Sequence, residues 1–325
     1  MREIKIAVMA DVHLDIAKDG EKRVDEFLRV AKEENVDFMM HLGDFAYPND
    51  TSKTKCPLET MPNNVRNAYL LPSYVDKEAI LKKYNNFGIP AYHTMGNHDF
   101  DFLEPEDALR MYGIPNGYYS FHVNGWHFIV LDGNYFKNED GSYEHYDCGQ
   151  YFYHDLPYLT PKQLSWLEEE LKTSDEPAVM FSHQALFDYA GGIKDLPEFE
   201  RIIKEAKARG KEIRMCLSGH MHLDDLDLID GTYYHNVASL FGFWVGENFQ
   251  AKHYCDATEE KFPNLRYNVI YAKPLYSIIT MNDEGFSIKG VDGYYVQPGP
   301  TKRGVKKLPW KLTPYVKART HKWIK

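Results

Sequence analysis

The sequence predicts an α/β fold, in which short buried strands alternate with amphipathic helices. Nine short apolar runs are each bounded by Gly, Pro or Asn, and helical patterns lie between several of them. Hydrophobic residues make up 43% of the 325 residues, which is enough for a sizeable core. No linker divides the chain, so we expect one domain with insertions.

The predicted strands are short, apolar and flanked by turn residues. They cover residues 4–10, 37–42, 91–95, 120–123, 127–131, 178–182, 213–218, 233–237 and 275–281. The predicted helices have apolar residues at helical spacing and cover residues 21–35, 160–172 and 196–211. Thr160 is expected to cap the second helix before Pro161, and Gly210 is expected to end the third.

Three segments lack a regular pattern and are interpreted as inserted loops. Residues 47–72 are polar and contain proline, residues 133–159 are dense in Tyr, Phe and acids, and residues 240–274 are aromatic. Long loops in a compact domain are often functional. We therefore predict a main domain over residues 1–300 with these three inserted loops, followed by a basic tail over residues 301–325.

The charge of the chain is unevenly distributed. Residues 301–325 carry nine Lys or Arg and no acid, so the first 300 residues carry 29 basic and 48 acidic side chains, or −19. An acidic body argues against nucleic acid as the main partner but is compatible with a small phosphorylated substrate. We expect the tail to pack on the body, with an anionic substrate or a membrane surface as alternative partners.

The cysteines and the apolar stretches of the sequence indicate the cellular compartment of the protein. Cys56, Cys148, Cys216 and Cys255 are far apart and form no CxxC pair, which favours a reduced compartment. No stretch has the apolar length of a membrane span, and the N-terminus has no leader pattern. These features predict a soluble, cytoplasmic protein, and nothing in the sequence predicts its oligomeric state.

Polar residues follow five of the predicted strands. Ligands of α/β sheets bind beyond the carboxyl ends of strands, so we expect these side chains to converge. Carboxylates with neutral imidazoles suit Zn, Mn, Fe or Ni. The segments are "DVH", "GD", "GNHD", "SH" and "GHMH", and their candidate site residues are Asp11, His13, Asp44, Asn97, His98, Asp99, His183, His220 and His222.

The number of donors predicts more than one metal. A catalytic site of the zinc type uses about three or four ligands, whereas these segments offer seven if His98 and Asp99 are left out. Seven suffice for two metals if one carboxylate bridges them, and such pairs are common in phosphoryl chemistry. Any one of these short motifs occurs by chance, so the prediction depends on their conjunction.

In this order the five motifs resemble the calcineurin-like metallophosphoesterase superfamily, whose pattern reads DxH, GD, GNH[DE], a later H and GHxH. The matching blocks span residues 11–222. The stretches "GYYSFHVNGWHFIVLD" and "LTPKQLSWLEEELK" look like the cyclic-nucleotide phosphodiesterase-like branch. The resemblance implies a four-layer αββα sandwich of two mixed β-sheets flanked by helices, with a dinuclear metal site at one edge.

The resemblance also implies roles for the site residues. His98 would protonate the leaving oxygen, Asp99 would orient His98, and a metal-bound hydroxide would be the nucleophile. The cofactors would be two divalent or mixed-valence transition metal ions (Mn, Fe, Zn or Ni). The ligand sets would be Asp11, His13 and His222 for one metal, and Asn97, His183 and His220 for the other, with Asp44 bridging them.

Two departures narrow the resemblance. Tyr47 in "GDFAY" looks like the iron-binding tyrosine of purple acid phosphatases. Those enzymes lack a histidine at the position of His13, so we do not expect Tyr47 to be a ligand. The Arg residues that Ser/Thr protein phosphatases carry after GD and GNHE are absent from "GDFAYPN" and "GNHDFD". This absence argues against a phosphoprotein phosphatase.

The sequence therefore predicts a metal-dependent phosphohydrolase acting on a small phosphodiester or nucleotide. A phosphomonoesterase is the alternative enzyme, and a non-catalytic metal-binding scaffold is the alternative class. The intact ligand set with His98 argues against the scaffold. Aromatic residues in 133–159 and 240–254 could stack on a base or pack beneath the loops, so no substrate-binding residue is assigned.

Overall fold

Two six-stranded mixed sheets face each other at the centre of the protein. The structure, a computed structural model, describes residues 3–45, 75–101, 103–147, 149–152, 154, 156–306 and 312–324. Tyr47 and the predicted loop 47–72 lie outside these residues.

The described residues form sixteen strands and six α-helices. The strands are β1 (Glu3–Met9), β2 (Phe38–Leu42), β3 (Ala91–Thr94), β4 (Tyr119–Val123), β5 (Trp126–Val130), β6 (Tyr135–Lys137), β7 (Tyr143–His145), β8 (Ala178–Ser182), β9 (Ile213–Ser218), β10 (Asp225–Ile229), β11 (Thr232–Asn236), β12 (Gly242–Trp244), β13 (Asn268–Ile270), β14 (Ser277–Asn282), β15 (Gly285–Lys289) and β16 (Arg319–Lys322). The helices are α1 (Gly20–Glu33), α2 (Lys77–Asn85), α3 (Pro105–Tyr112), α4 (Pro161–Glu170), α5 (Leu196–Ala208) and α6 (Asp256–Lys261).

Each sheet combines parallel and antiparallel strands. The first has the order β16-β15-β14-β1-β2-β3, in which β1, β2 and β3 are parallel. The second has the order β10-β11-β9-β8-β5-β4, in which β11, β9, β8 and β5 are parallel. The parallel strands matter most for function, because their carboxyl ends carry the candidate site.

Alternation along the strands builds the layers. Ile6 and Val8 of β1 point into the core between the sheets, where they join Phe38 and Phe128. Ala7 and Met9, on the opposite face of β1, join the cluster that packs under α1, α2 and α3. Helices α4 and α5 pack in the same way on the outer face of the second sheet. The four-layer αββα sandwich predicted from the resemblance is therefore confirmed.

The predicted helix ends agree with the structure. The hydroxyl of Thr160 accepts a hydrogen bond from the Gln163 amide at 3.2 Å, and Pro161 opens α4. Gly210 follows α5 with a φ of +93°, the left-handed conformation that glycine adopts most readily. Sequence patterns missed the short helices α2, α3 and α6, which span few turns.

The irregular segments contain local structure. Strands β6 and β7 form a hairpin within residues 133–159, and β12 pairs with β13 within residues 240–274. In the tail, β16 pairs with β15 and Trp323 is buried. The division into a 1–300 domain and a tail stays a prediction. Within the described ranges, no helix has the length and apolar character needed to cross a membrane.

Candidate metal centre

The candidate site lies at the carboxyl ends of five parallel strands. Each of these strands runs into a loop whose first residues carry Asp, Asn or His, and the loops of the two sheets meet at this edge. The residues are Asp11 and His13 after β1, Asp44 after β2, Asn97 after β3, His183 after β8, and His220 and His222 after β9. The structure thus brings all seven predicted ligands to one place.

One group of three possible ligands consists of Asp11, His13 and His222. The Nε2 atoms of His13 and His222 are 3.3 Å apart, and His222 Nε2 lies 3.3 Å from Asp11 Oδ1. All three residues are buried. These separations suit three ligands of one small cation.

A second group contains Asp44, His183 and His220, and Asn97 adjoins it. His183 Nε2 is 3.2 Å from Asp44 Oδ2, 3.0 Å from Asn97 Oδ1 and 3.2 Å from His220 Nδ1. Four possible ligand atoms therefore lie around one point.

Asp44 stands between the two groups. Its Oδ2 atom is 3.2 Å from His183 Nε2 and 3.8 Å from His13 Nε2. Its other oxygen, Oδ1, accepts a hydrogen bond from the His98 amide at 2.9 Å, which fixes the carboxylate plane. One oxygen atom of Asp44 thus faces both groups.

The protonation pattern of the histidines fits cations. His183 Nδ1 donates to the Leu42 carbonyl at 2.7 Å, and His222 Nδ1 donates to the Gly242 carbonyl at 2.8 Å. In a neutral imidazole the Nε2 atom then carries a lone pair. These lone pairs face carboxylate and amide oxygens or other ring nitrogens. Acceptors that face acceptors repel each other, so positive charge is needed among them, and a carbonyl-bound Nδ1 is typical of metal-ligating histidine.

The pKa shifts also reflect a demand for positive charge. Burial opposes protonation of His183, but the carboxylate of Asp44 outweighs burial and raises its pKa to about 9. Burial lowers the pKa of His13 and of His220 to about 3, so both rings stay neutral and offer lone pairs. A cation between these side chains would satisfy the carboxylates without a proton on His183.

The backbone is unusual at five of the seven ligand positions. Residues other than glycine seldom adopt positive φ, which costs of the order of 1–3 kcal/mol and tends to cluster at functional sites. Cross-loop bonds from the Asp11 amide to the Gly43 carbonyl (3.0 Å) and from the His13 amide to the Asp44 carbonyl (3.1 Å) stabilise these turns. The φ values are +50° at Asp11, +45° at His13, +58° at Asp44, +64° at His220 and +56° at His222.

Two glycines allow the loops to approach. A Cβ atom on Gly96 would overlap the carboxylate and amide of Asp44. Gly43 has a φ of +92°, and a Cβ there would lie 2.6 Å from His183 Nδ1. A larger residue at Gly96 would displace the Asp44 carboxylate, and one at Gly43 would displace Gly96 and the His183 ring.

His98 lies beside the first group, with its ring 5.5 Å from that of His13. Its Nδ1 is 2.6 Å from Asp101 Oδ2, and the His98 side chain is only 15% exposed. Burial opposes its charge, but the carboxylates of Asp101 and Asp44 raise the pKa of His98 to about 10. Asp101 therefore favours the protonated form of His98.

The prediction that Asp99 orients His98 is corrected by this contact. Residues 97–100 form a 3₁₀ turn, in which consecutive side chains diverge and residues three apart share a face. Asp99 points away and accepts hydrogen bonds from the amides of Asp44 (2.9 Å), Phe45 (3.0 Å) and Gly96 (2.8 Å). It joins the two loops, while Asp101 takes the orienting position.

Sequence reasoning missed two further buried residues. Asp132 and Asn134 follow β5, and Asn134 Nδ2 donates to the Met95 carbonyl at 2.8 Å, directly before the "GNHD" loop. Asp132 accepts from Asn134 Nδ2 at 2.7 Å and lies 3.0 Å from His145 Nε2. The signal was present, because "LDGN" also places polar residues after a predicted strand, but it contains no histidine.

A third set of possible ligands consists of His122, His127 and Glu170. This set does not suit a cation as the first two groups do. His127 lies near the start of β5, at the opposite end of the strand. Its Nε2 is 3.0 Å from Glu170 Oε1, and its Nδ1 is 3.3 Å from the Lys211 ammonium. Both ring nitrogens thus have hydrogen-bonding partners, and the lysine would repel a cation.

Comparisons with known proteins agree with this geometry. Residues 4–224 match the family model described as calcineurin-like phosphoesterase. A dimetal phosphatase from Danio rerio is 13% identical, with 90% of this chain and 98% of that chain covered at a TM-score of 0.58. The structure of PhoD is 15% identical, with 92% and 68% covered at a TM-score of 0.54. At these identities the two structures show a shared fold. No curated protein matches the sequence.

The shared oxygen of Asp44 yields a prediction about metal content. Mn²⁺ is expected to raise the melting temperature of metal-free protein, since a ligand at a hundred times its Kd stabilises by about 2.7 kcal/mol. Asp44→Asn should lose at least one metal per chain and most of this stabilisation, because the amide removes the negative charge shared by both groups. Metal analysis after gel filtration and a thermal melt measure both effects.

The control is Asp140→Asn, which changes an exposed carboxylate in the β6–β7 turn. It should bind Mn²⁺ as the unmodified protein does. An Asp44→Asn protein that keeps two metals per chain and the full thermal shift would contradict the placement of Asp44 between them.

Proposed function

The chain belongs to the calcineurin-like phosphoesterase family, a family of metal-dependent enzymes that hydrolyse phosphoesters. From this premise we propose that the protein is a dinuclear hydrolase of small phosphodiesters or nucleotides. The observation that supports it most is the single oxygen, Asp44 Oδ2, that faces both His13 and His183. Two ligand groups that share an oxygen suit two neighbouring cations. The residues of the proposed centre are those that the sequence predicted.

The cofactors we propose are two transition metal ions among Mn, Fe, Zn and Ni, in agreement with the mixed carboxylate, amide and imidazole donors. When bound, such ions would neutralise charge on the phosphate oxygens and activate water for attack. The chain itself supplies the remaining requirements, which are a fixed ligand geometry and a proton for the leaving oxygen.

His98 is proposed as the general acid. The Nδ1–Asp101 contact leaves Nε2 as the proton donor, and the hydrogen bond from the His98 backbone amide to Asp44 Oδ1 ties the acid to the metal centre. The carboxylates that raise its pKa keep the ring protonated near neutral pH. Asp101 replaces Asp99 in the proposal as the residue that orients it.

The diester preference is supported by two features of the sequence and one of the structure. Residues 117–132 and 159–172 resemble the cyclic-nucleotide phosphodiesterase-like branch, and a diester carries less negative charge than a monoester, which suits an acidic body. The ring of Tyr151 lies 5.3 Å from that of His98 and 6.3 Å from that of His220, so an aromatic surface borders the leaving-group side. Phosphomonoester hydrolysis is the alternative.

Hydrolysis of two chromogenic esters tests the proposal. Metal-free protein is reloaded with Mn, Fe, Zn or Ni, and bis-p-nitrophenyl phosphate is compared with p-nitrophenyl phosphate at equal concentration. We expect turnover with at least one metal and a higher kcat/KM for the diester. A higher value for the monoester would support the phosphatase alternative. Absence of turnover on either ester with two metals bound would contradict the proposal and favour the scaffold.

The pH profile tests the role of Asp101. Its carboxylate stabilises the protonated ring, so Asp101→Asn should lower the pKa of His98 and move the basic limb of kcat/KM to lower pH. His98→Ala, which removes the acid, should lose about 10²- to 10⁴-fold in rate with a poor leaving group. Both proteins should retain their metals.

Asp107→Asn is the matched control, because Asp107 is exposed on α3 and pairs with Arg110 at 2.8 Å. Its pH profile should not move. An Asp101→Asn protein with an unchanged basic limb, or a His98→Ala protein as active as the original on a poor leaving group, would remove His98 from the mechanism.

A further inference from the structure

We propose that residues 312–324, here called the C-terminal clamp, hold the loop that carries His220 and His222, and that Arg319 is the positioning residue through which the clamp acts on the metal centre. This inference rests on the proposed metal centre. It gives the basic tail a role inside the protein, in place of contact with a substrate or a membrane.

The contact between clamp and loop is buried and specific. Asp224 lies two residues after His222, and its side chain is 2% exposed. Arg319 Nη1 donates to Asp224 Oδ1 at 2.7 Å, and the Lys317 amide donates to Oδ2 at 2.8 Å. Both carboxylate oxygens are therefore held by the clamp. Charge-assisted bonds of this kind are stronger than neutral ones.

A second route links the clamp to the same loop. The hydroxyl of Tyr271 donates to the backbone carbonyl of His222 at 3.0 Å. Tyr271 forms an isolated β-bridge with Tyr295, and the Tyr295 hydroxyl donates to the Leu312 carbonyl at 2.9 Å. The loop is thus held at two points, through the side chain of Asp224 and through the backbone carbonyl of His222.

The clamp itself is anchored in the core. Val316 exchanges two backbone hydrogen bonds with Val291, both at 3.0 Å, and its side chain is buried. Trp323 packs with its ring 5.1 Å from that of Phe286, and its indole N–H donates to the Asn282 carbonyl at 2.7 Å. Arg319 therefore projects from a fixed strand and transmits that position to Asp224.

The loop needs external support because its conformation is strained. His220 and His222 both have positive φ, at +64° and +56°. Strained residues keep their conformation only when the surrounding structure determines it. A displacement of the loop would move ligands of both groups, since His220 belongs to one group and His222 to the other.

Thermodynamic linkage gives the inference a second consequence. If docking of the clamp raises metal affinity, metal binding must strengthen docking of the clamp by the same factor. Hydrogen exchange of the β16 amides should therefore slow when Mn²⁺ binds. Strand β4 is the internal reference, because it is also an edge strand but belongs to the other sheet.

The experiment measures Mn²⁺ affinity by equilibrium dialysis and hydrogen exchange with and without Mn²⁺, on the full chain. Arg319→Gln should bind Mn²⁺ about 10–100-fold more weakly, the range seen when residues supporting metal ligands are removed. It should also lose the Mn²⁺-dependent slowing in β16. Lys322→Gln, an exposed change on the same strand, should behave as the original protein.

Arg319→Lys is a second, milder variant that keeps the proposal testable if Arg319→Gln fails to fold. It keeps a charge beside the buried Asp224 but loses the planar fork, so its affinity should lie between those of the original and Arg319→Gln. Unchanged affinity in both variants, or equal slowing in β16 and β4 of the original protein, would overturn the clamp. Metal binding without turnover would overturn the proposed function and leave the clamp standing. An original chain that binds no Mn²⁺ would overturn both.

Discussion

The shared carboxylate oxygen of Asp44 is the constraint on which the rest of the site depends. It lies within 3.2 Å of His183 Nε2 and 3.8 Å of His13 Nε2, in a buried region where lone pairs face other acceptors. Such an arrangement is stable only with positive charge inside it. The left-handed turns, the glycines and the cross-loop hydrogen bonds can all be understood as ways of holding these acceptors together.

The two neighbouring aspartates of the "GNHDFD" segment divide the supporting work. Asp99 accepts hydrogen bonds from backbone amides of the loops after β2 and β3 and thereby fixes Asp44 relative to Asn97. Asp101 contacts His98 and adjusts the charge of the proposed acid. On the far side, Asp224 and Arg319 hold the histidine loop. The ligand loops after β2, β3 and β9 are therefore each held through a carboxylate that is not itself one of the predicted ligands.

Much of the fold and of the ligand set could be predicted because both depend on local pattern. Apolar runs punctuated by turn residues marked the parallel strands, and the polar residues after them marked the edge at which Asp11, Asp44 and His183 meet. The family resemblance supplied the four-layer arrangement. The features that the sequence did not predict depend on three-dimensional geometry. The 3₁₀ turn that places Asp101, and not Asp99, beside His98 is too short to leave a periodic pattern in the sequence. The pairing of Arg319 with Asp224 joins residues 95 positions apart.

The most direct test of the central claim is electron paramagnetic resonance of the protein during titration with Mn²⁺. If one oxygen of Asp44 lies between two metals, the spectrum at two equivalents per chain should be that of an exchange-coupled pair, and coupling should appear as the second site fills. A spectrum of isolated Mn²⁺ at saturation, or saturation at one ion per chain, would contradict a bridged dinuclear centre.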